Sequence, residues 1–437
     1  MHTLAFLDPG HFHAALTLRE RHPRVSDEVF VFAPEGPELA DFLALVDAFN
    51  RRPERPTAWR PVVRAGAGAL ERLEAERPGD VVILAGRNDR KMALIRRLHD
   101  GGLHVLADKP WLAGADGLDD LRHTLHGGAL AVEIMTGRHE ITSILTRTLV
   151  GDRDVFGDFE NSGPASAAIE IASVHHLEKT VNGAPLRRPA WFFDVRVQGD
   201  GIADIPTHMV DYAQRLVASS RPGAGGVTAL ELIDARRWAT RVPRALFSRV
   251  TGEADFPPEV RHVVAGSDLS YDGNAELSFR LDGVTVILES RWDLSVPAGG
   301  GDTHRSVIRG SRAEIRVEQS AATGFRRRLS VVPRVPSEEW RAALERRVAA
   351  WQGPHPGVAV SAAGGGWELR VPRGLDTGHE SHFPLVLAEF LDWVERGGPP
   401  PGLMAHTLAK YELLARASSA AVVGQYRLGA GSSCEPD

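Results

Sequence analysis

Through the first third of the chain, short apolar runs alternate with segments of helical period. Thr3–Leu7, Glu28–Ala33, Asp80–Ala85, Leu103–Ala107 and Leu130–Met135 read as strands. Asp80–Ala85 (DVVILA) is continuously apolar, as a strand buried on both faces should be. Between them, Phe12–Leu18, Glu38–Asn50, Asp89–Gly101 and Gly117–His126 carry helical spacing, the third closed by Gly101-Gly102. Five-residue strands separated by helices predict a parallel, doubly wound sheet of Rossmann type. A Pro- and Arg-rich stretch up to Pro61 is left as a connection. A boundary is placed near Thr136, giving a domain over 1–136.

Beyond it the pattern changes. Ala167–Val174 and Trp191–Val197 read as strands, and Asp204–Ser219 as a helix. Ala275–Leu281 and Val284–Trp292 form a hairpin across Asp282-Gly283, a pair suited to positive φ. Arg305–Arg309 and Ala313–Glu318 form another across Gly310-Ser311. Consecutive strands without intervening helices predict a large, open, mainly antiparallel sheet, hence an α/β domain followed by an α+β domain over 137–428. Two late helices, His379–Arg396 and Pro401–Gln425, complete it, and 429–437 reads as a disordered tail.

Composition narrows the class. The chain has 437 residues, 43% hydrophobic and 25% charged, which is the balance of a globular protein. No apolar run is long enough to span a membrane, and no signal peptide is visible, so a cytoplasmic protein is expected. A net charge of −6 without basic blocks argues against nucleic acid as a partner. The single cysteine, Cys434, excludes a disulfide framework and a cysteine-based metal site. Only four of the 51 basic residues are lysines, Lys91, Lys109, Lys179 and Lys410.

Candidate chemistry begins at the first turn. Asp8-Pro9-Gly10-His11-Phe12-His13 stands where a dinucleotide site has GxGxxG, and only Gly10 of the three glycines remains. Asp8 as a helix N-cap with Pro9 at the first helical position is the alternative reading. Glu35, 25 residues past Gly10, suits the ribose hydroxyls, and no adjoining cation favours a 2′-phosphate, so NAD is preferred to NADP. Ala85, Gly86 and Asn88 follow the Asp80–Ala85 strand and would line the nicotinamide side.

Two further motifs carry reactive groups. Asp108-Lys109-Pro110 ends the Leu103–Ala107 strand, placing Asp108 and Lys109 where they would meet the cofactor and a proton-exchanging lysine at the ligand-binding edge. Asp204, His208 and Asp211 are spaced i, i+4, i+7, with Pro206 in the first turn of their helix. The spacing predicts an imidazole general base oriented by Asp204, which could also cap the helix. His175-His176 with His208 and Asp204 is an alternative zinc or manganese set, although adjacent strand residues face opposite ways, and no metal is assigned.

With these motifs in these positions, the chain resembles the glucose-fructose oxidoreductase/inositol dehydrogenase (Gfo/Idh/MocA) family. The strings LDPGHFHAAL, ADKP and RPAWFFDV resemble an uncharacterised branch whose glycine-rich turn is degenerate. Asp108-Lys109-Pro110 is similar to that family's Glu-Lys-Pro motif, with Asp for Glu, and Gly199 through Asp211 to its glycine-rich D-x-x-x-H-x-x-D segment. The resemblance implies Lys109, Asp204 and His208 as catalytic residues. It also implies NAD-dependent hydride transfer to or from a sugar, polyol or glycoside, and a dimer or tetramer. Lys109, His175, Trp191, Asp204 and His208 would meet the substrate, with Tyr212 a further aromatic. Two other functions use the same parts: redox-neutral glycoside cleavage by oxidation, elimination and reduction, and a non-catalytic sensor or scaffold.

Overall fold

The computed structural model describes residues 1–160, 167–181, 184–221, 229–297 and 299–424. The expected tail at 429–437 lies outside the described residues.

Strands β1 (His2–Leu7), β2 (Val25–Ala33), β3 (Arg60–Ala65), β4 (Val81–Leu84), β5 (His104–Asp108) and β6 (Ala131–Ile134) form one parallel sheet in the order β3-β2-β1-β4-β5-β6. β4 is buried at every position, as its unbroken apolar sequence requires. The strand order reverses between β1 and β4, and a crevice opens at the carboxyl ends there. β3 is missing from the expected strands because Arg60, Pro61 and Arg64 hide an edge strand that needs no apolar run. The first helix is only His13–Leu16.

The second sheet is mixed and mostly antiparallel. Its order runs Ala359–Ala363, Gly366–Arg370, Arg328–Pro333, Ala313–Gln319, Thr303–Arg309, Ile169–Glu178, Val284–Ser295, Asp268–Leu281, Leu230–Pro243 and Val422–Val423, with Val264–Ala265 beside Asp268–Leu281. The Ile169–Glu178 strand runs parallel to Val284–Ser295. The hairpin at Asp282-Gly283 forms as expected, with Leu281 opposite Val284 and both turn residues at positive φ (47° and 85°). The second hairpin pairs Arg309 with Glu314. Trp191–Val197 is not a strand. It is a 3-10 turn, Ala190–Phe193, and a short helix, Val195–Gln198, because the Asp194 side chain accepts the Arg196 amide and starts a helix there.

The chain crosses back at its end. The helix Phe383–Arg396 places Phe383, Phe390 and Trp393 in the core of the first sheet, with Phe6, Val31 and Phe42. The last helix, Leu403–Ala420, seats Lys410 and Tyr411 on β6. Lys410 is fully buried; its ammonium and the Tyr411 hydroxyl both donate to Glu133. The Tyr411 oxygen in turn accepts the Trp111 amide (2.8 Å), next to the Asp108-Lys109-Pro110 turn. Among the described residues, no helix is long and apolar enough to cross a membrane.

Breaking a buried pair from one side leaves a bare charge and costs about 3–5 kcal/mol. Lys410→Met is therefore expected to lower unfolding free energy by that amount in denaturant titration. Lys410→Met combined with Glu133→Gln should recover much of the loss; a double variant as weak as the sum of both singles would refute the pairing.

Candidate active site

Each reactive side chain is held by an identifiable local device. Lys109 follows β5 directly, at the carboxyl edge of the first sheet. Asp204 arrives on the loop Gly199–Asp204, ahead of the helix Pro206–Ser219. Within that loop the Asp200 carboxylate accepts the Ile202 and Ala203 amides (3.0 and 3.1 Å) and is anchored by Arg237 (2.6 Å) and Ser418 (2.5 Å). Gly201 presses against the backbone of Asn274, where a Cβ would lie 2.5 Å from its carbonyl carbon. The loop therefore reaches β5, and Lys109 Nζ meets Asp204 Oδ1 at 2.5 Å with both side chains buried. The other oxygen, Asp204 Oδ2, is buried without a hydrogen-bond partner.

This arrangement corrects the expectation for Asp204. The helix starts at Pro206 with Ile205 as its cap, so Asp204 precedes the helix and neither caps it nor lies on the His208 face. Its carboxylate goes to Lys109 because an ammonium brought into the same dry seam must be matched. Asp211, one turn beyond His208, is taken by Arg138 (2.6 Å). His208 is thus a first-turn imidazole whose two sequence-neighbour carboxylates serve other cations. Burial, and then the Lys109 charge, push its pKa well below the usual histidine value, so it is a neutral base near pH 7.

Lys109, Asp204 and His208 share one cavity of about 1110 Å³, lying between the sheets at the carboxyl ends of β1, β4 and β5. Of the other expected site residues, His11, Phe12, Gly86, Asn88, Asp108, His175, Trp191 and Tyr212 also line it, whereas Asp8, Pro9, Gly10, Glu35 and Ala85 do not. Gly86 is needed for close approach, since a Cβ there would sit 2.3 Å from the Asp8 carbonyl oxygen. Asn88 is already engaged: it donates to the Gln198 carbonyl (2.8 Å) and accepts from Lys91, whose burial lowers its pKa to about 8.

The first turn also departs from expectation. Asp8 has φ of 47°, and its amide and carbonyl pair with Phe32 and Gly10, so it bends the chain instead of capping a helix. Burial, with Glu38 next, raises its pKa. Glu35 is exposed. Glu38, one turn later, is the acid that faces Gly10, and it accepts the Trp191 indole N–H (2.7 Å). Trp191 also lies under the Arg87 guanidinium (5.9 Å), so it roofs the first turn more than it presents a sugar platform.

The metal set of His175, His176, His208 and Asp204 does not assemble. Asp302 takes both neighbouring imidazoles (3.4 and 3.0 Å) and Lys179 (2.5 Å) instead. The sequence reading passed over Asp302, His379, Arg138 and Arg188, which all line the cavity. Arg188 is buried between Phe192 and Trp292 (4.5 and 4.9 Å) and donates to the carbonyls of Leu177 and His176. It is the first residue of the string RPAWFFDV, which is the one signal in the sequence that points to it.

With this geometry established, comparison with known proteins decides the family. Residues 145–422 match the family model described as "Putative oxidoreductase C terminal domain". The chain belongs to that oxidoreductase family. The crystal structure of an oxidoreductase of the same description from Parabacteroides merdae is similar at 34% identity and a TM-score of 0.90, over 96% of this chain and 97% of that one. Two more distant structures share the fold. GenD2 from gentamicin A biosynthesis, in complex with NAD, is 13% identical with a TM-score of 0.57, over 96% and 94% of the two chains. A 3-ketoreductase from Actinomadura kijaniata, in complex with NADP and TDP-benzene, is 15% identical with a TM-score of 0.56, over 97% and 98%. No curated protein matches this chain.

Partly buried histidines give this family member a pH signature. His304, lowered to about 3 by burial and by Arg327, and His208, also lowered, stay neutral in the folded state, whereas both protonate near pH 6.5 when unfolded. The unfolded state therefore binds more protons below pH 6.5, and stability is lost on acidification at about 1.4 kcal/mol per pH unit per histidine. The melting temperature is expected to fall by several degrees between pH 7 and 5, before carboxylates titrate. His304→Gln should flatten that slope. An unchanged melting temperature over this interval would contradict the burial argument.

Proposed function

We propose that this oxidoreductase transfers a hydride between a nicotinamide dinucleotide, NAD in preference to NADP, and a hydroxyl-bearing carbon of a sugar, polyol or glycoside. The observation that carries the reading is the Lys109–Asp204 pair beside neutral His208 in one interdomain cavity at the strand ends. The residues suit the nicotinamide half of a dinucleotide. Gly86, His11 and Phe12 bound the cavity at the switch point, where a Cβ on Gly86 would collide with the Asp8 carbonyl oxygen (2.3 Å). Bound there, the nicotinamide would supply a two-electron hydride acceptor or donor.

The chain's own groups handle the proton and the orientation. In the oxidative direction His208 accepts the substrate hydroxyl proton, which it can do because burial keeps it neutral. Lys109 donates a hydrogen bond to the same oxygen and stabilises the charge that develops on it. Asp204 holds the ammonium in place through Oδ1, leaving Oδ2 to accept from a substrate hydroxyl. His175 and Trp191 line the wall, and Glu38 faces the dinucleotide side. The acid that faces Gly10, Glu38, is what favours NAD. A cytoplasmic dimer or tetramer, divided near residue 136, completes the proposal.

Thermal shift with NAD+ and NADP+ and NADH formation over a panel of sugars and glycosides test it. Stabilisation by NAD+ is expected, together with substrate-dependent absorbance at the NADH band. Lys109→Met should lower kcat by about 10²–10⁴-fold while the NAD+ shift persists. Glycoside cleavage without net NADH would replace dehydrogenation by the redox-neutral route. No shift with any dinucleotide at millimolar concentration would remove the nicotinamide reading.

A further inference from the structure

His11, His13 and Asp108 form a cluster on the wall of the same cavity; His11 bounds the nicotinamide side, but none of the three takes part in the proton and hydride steps proposed above. His13 Nδ1 lies 2.8 Å from Asp108 Oδ2, and His11 Nδ1 lies 3.6 Å from the same oxygen. All three donor atoms fall within 4.8 Å of one another, and all three residues line the cavity. The two imidazoles meet edge to face with ring centres 4.2 Å apart. With metal–ligand bonds of about 2.1 Å, neighbouring donors in tetrahedral or octahedral sites sit roughly 3.0–3.4 Å apart. The two separations from Asp108 Oδ2, 2.8 and 3.6 Å, bracket that range.

We propose that His11, His13 and Asp108 bind one divalent transition-metal ion, of the manganese, iron, cobalt or zinc class, on the cavity wall beside Lys109. Two imidazoles and one carboxylate suit these ions and leave coordination positions open toward the cavity for oxygen ligands. Two departures from the expected motifs converge on this point. His13 replaces the last glycine of the first turn, and Asp108 stands where the resembled family has the longer Glu. Lys91 donates to the Asp108 backbone carbonyl (3.0 Å), so its ammonium stays off the carboxylate that the ion would take. His379 and Phe383 flank the His13 ring with centroids at 5.8 and 4.6 Å. The ion would lie within the same chamber as Asp204 and His208 but on residues separate from them.

The test uses the full chain, stripped by chelator, without any dinucleotide. Titration with MnCl₂ and ZnCl₂ by calorimetry, and metal analysis after dialysis, should give one equivalent bound at micromolar or tighter affinity. Loading with Co²⁺ should give a visible absorption band. His13→Gln and Asp108→Asn are each expected to weaken binding at least tenfold and to shift the cobalt band, whereas His175→Gln leaves both unchanged. If a variant misfolds, the wild-type stoichiometry and cobalt spectrum still decide. Less than a tenth of an equivalent at 100 μM metal (roughly a millimolar or weaker constant by mass action), or equal affinity in all variants, would overturn the inference. A dinucleotide shift with no metal uptake would refute this site alone, and metal uptake with no dinucleotide shift would refute only the nicotinamide reading.

Discussion

A buried ammonium must meet a carboxylate, and the seam between the two sheets is built around that requirement. Lys109 follows a strand of the first sheet, Asp204 lies 95 residues on, before the helix Pro206–Ser219, and both are almost fully enclosed. Neither charge is tolerable there alone, since removing one partner leaves an uncompensated ion in a poorly polarisable surrounding. The pair therefore fixes how closely the Gly199–Asp204 loop approaches β5. That approach in turn depends on Gly201 lying flat on Asn274 and on Asp200 being tied by Arg237 and Ser418. One ion pair thus sets the width of the chamber in which His208 and the cavity wall face each other.

The lysine scarcity takes on a structural meaning from the same constraint. Lys91, Lys109 and Lys410 are all buried, and Lys179 is paired with Asp302 on the cavity wall. A compact ammonium can be enclosed by two or three oxygens, whereas a planar guanidinium with five donors is harder to satisfy in a small space. Where a cation only needed to be solvated or to bridge surface carboxylates, arginine serves. Lysine remains at three enclosed positions, although the Arg138–Asp211 pair shows that a guanidinium can be enclosed beside a carboxylate as well. Arg188 is the informative contrast: it is buried too, but between two aromatic faces that match its flat shape.

Much of this was legible from residue order. The parallel sheet follows from continuous apolar runs, and the antiparallel hairpin at Asp282-Gly283 from turn chemistry, because both signals are local. Lys109, Asp204 and His208 share a cavity, as their positions at strand end and helix start implied. Their pairing was not legible. Spacing along a helix put Asp204 with His208, but its true partner lies 95 residues away and is chosen by charge matching in three dimensions. β3 was hidden for the complementary reason: an edge strand partly open to solvent needs no hydrophobic run, and Arg60-Pro61 masked it. Trp191–Val197 has strand composition, yet one aspartate accepting a backbone amide outweighs propensity there.

The first turn shows how a motif can be lost without losing the fold around it. The last glycine of a dinucleotide turn permits close packing of the following helix on the strand. Here that helix is a single turn, His13–Leu16, so the packing demand is relaxed and a side chain fits. His13 then fills the space against His379 and Phe383, contributed by a segment some 370 residues later. Glu38 and Trp191 brace the same turn from the other side. A pattern search for glycines registers only a defect, because each compensation comes from distant sequence. The side chains admitted by the missing glycine are what place two imidazoles and the Asp108 carboxylate at one point, so the departure from the motif adds donor atoms to the strand-end edge of the sheet instead of leaving it bare.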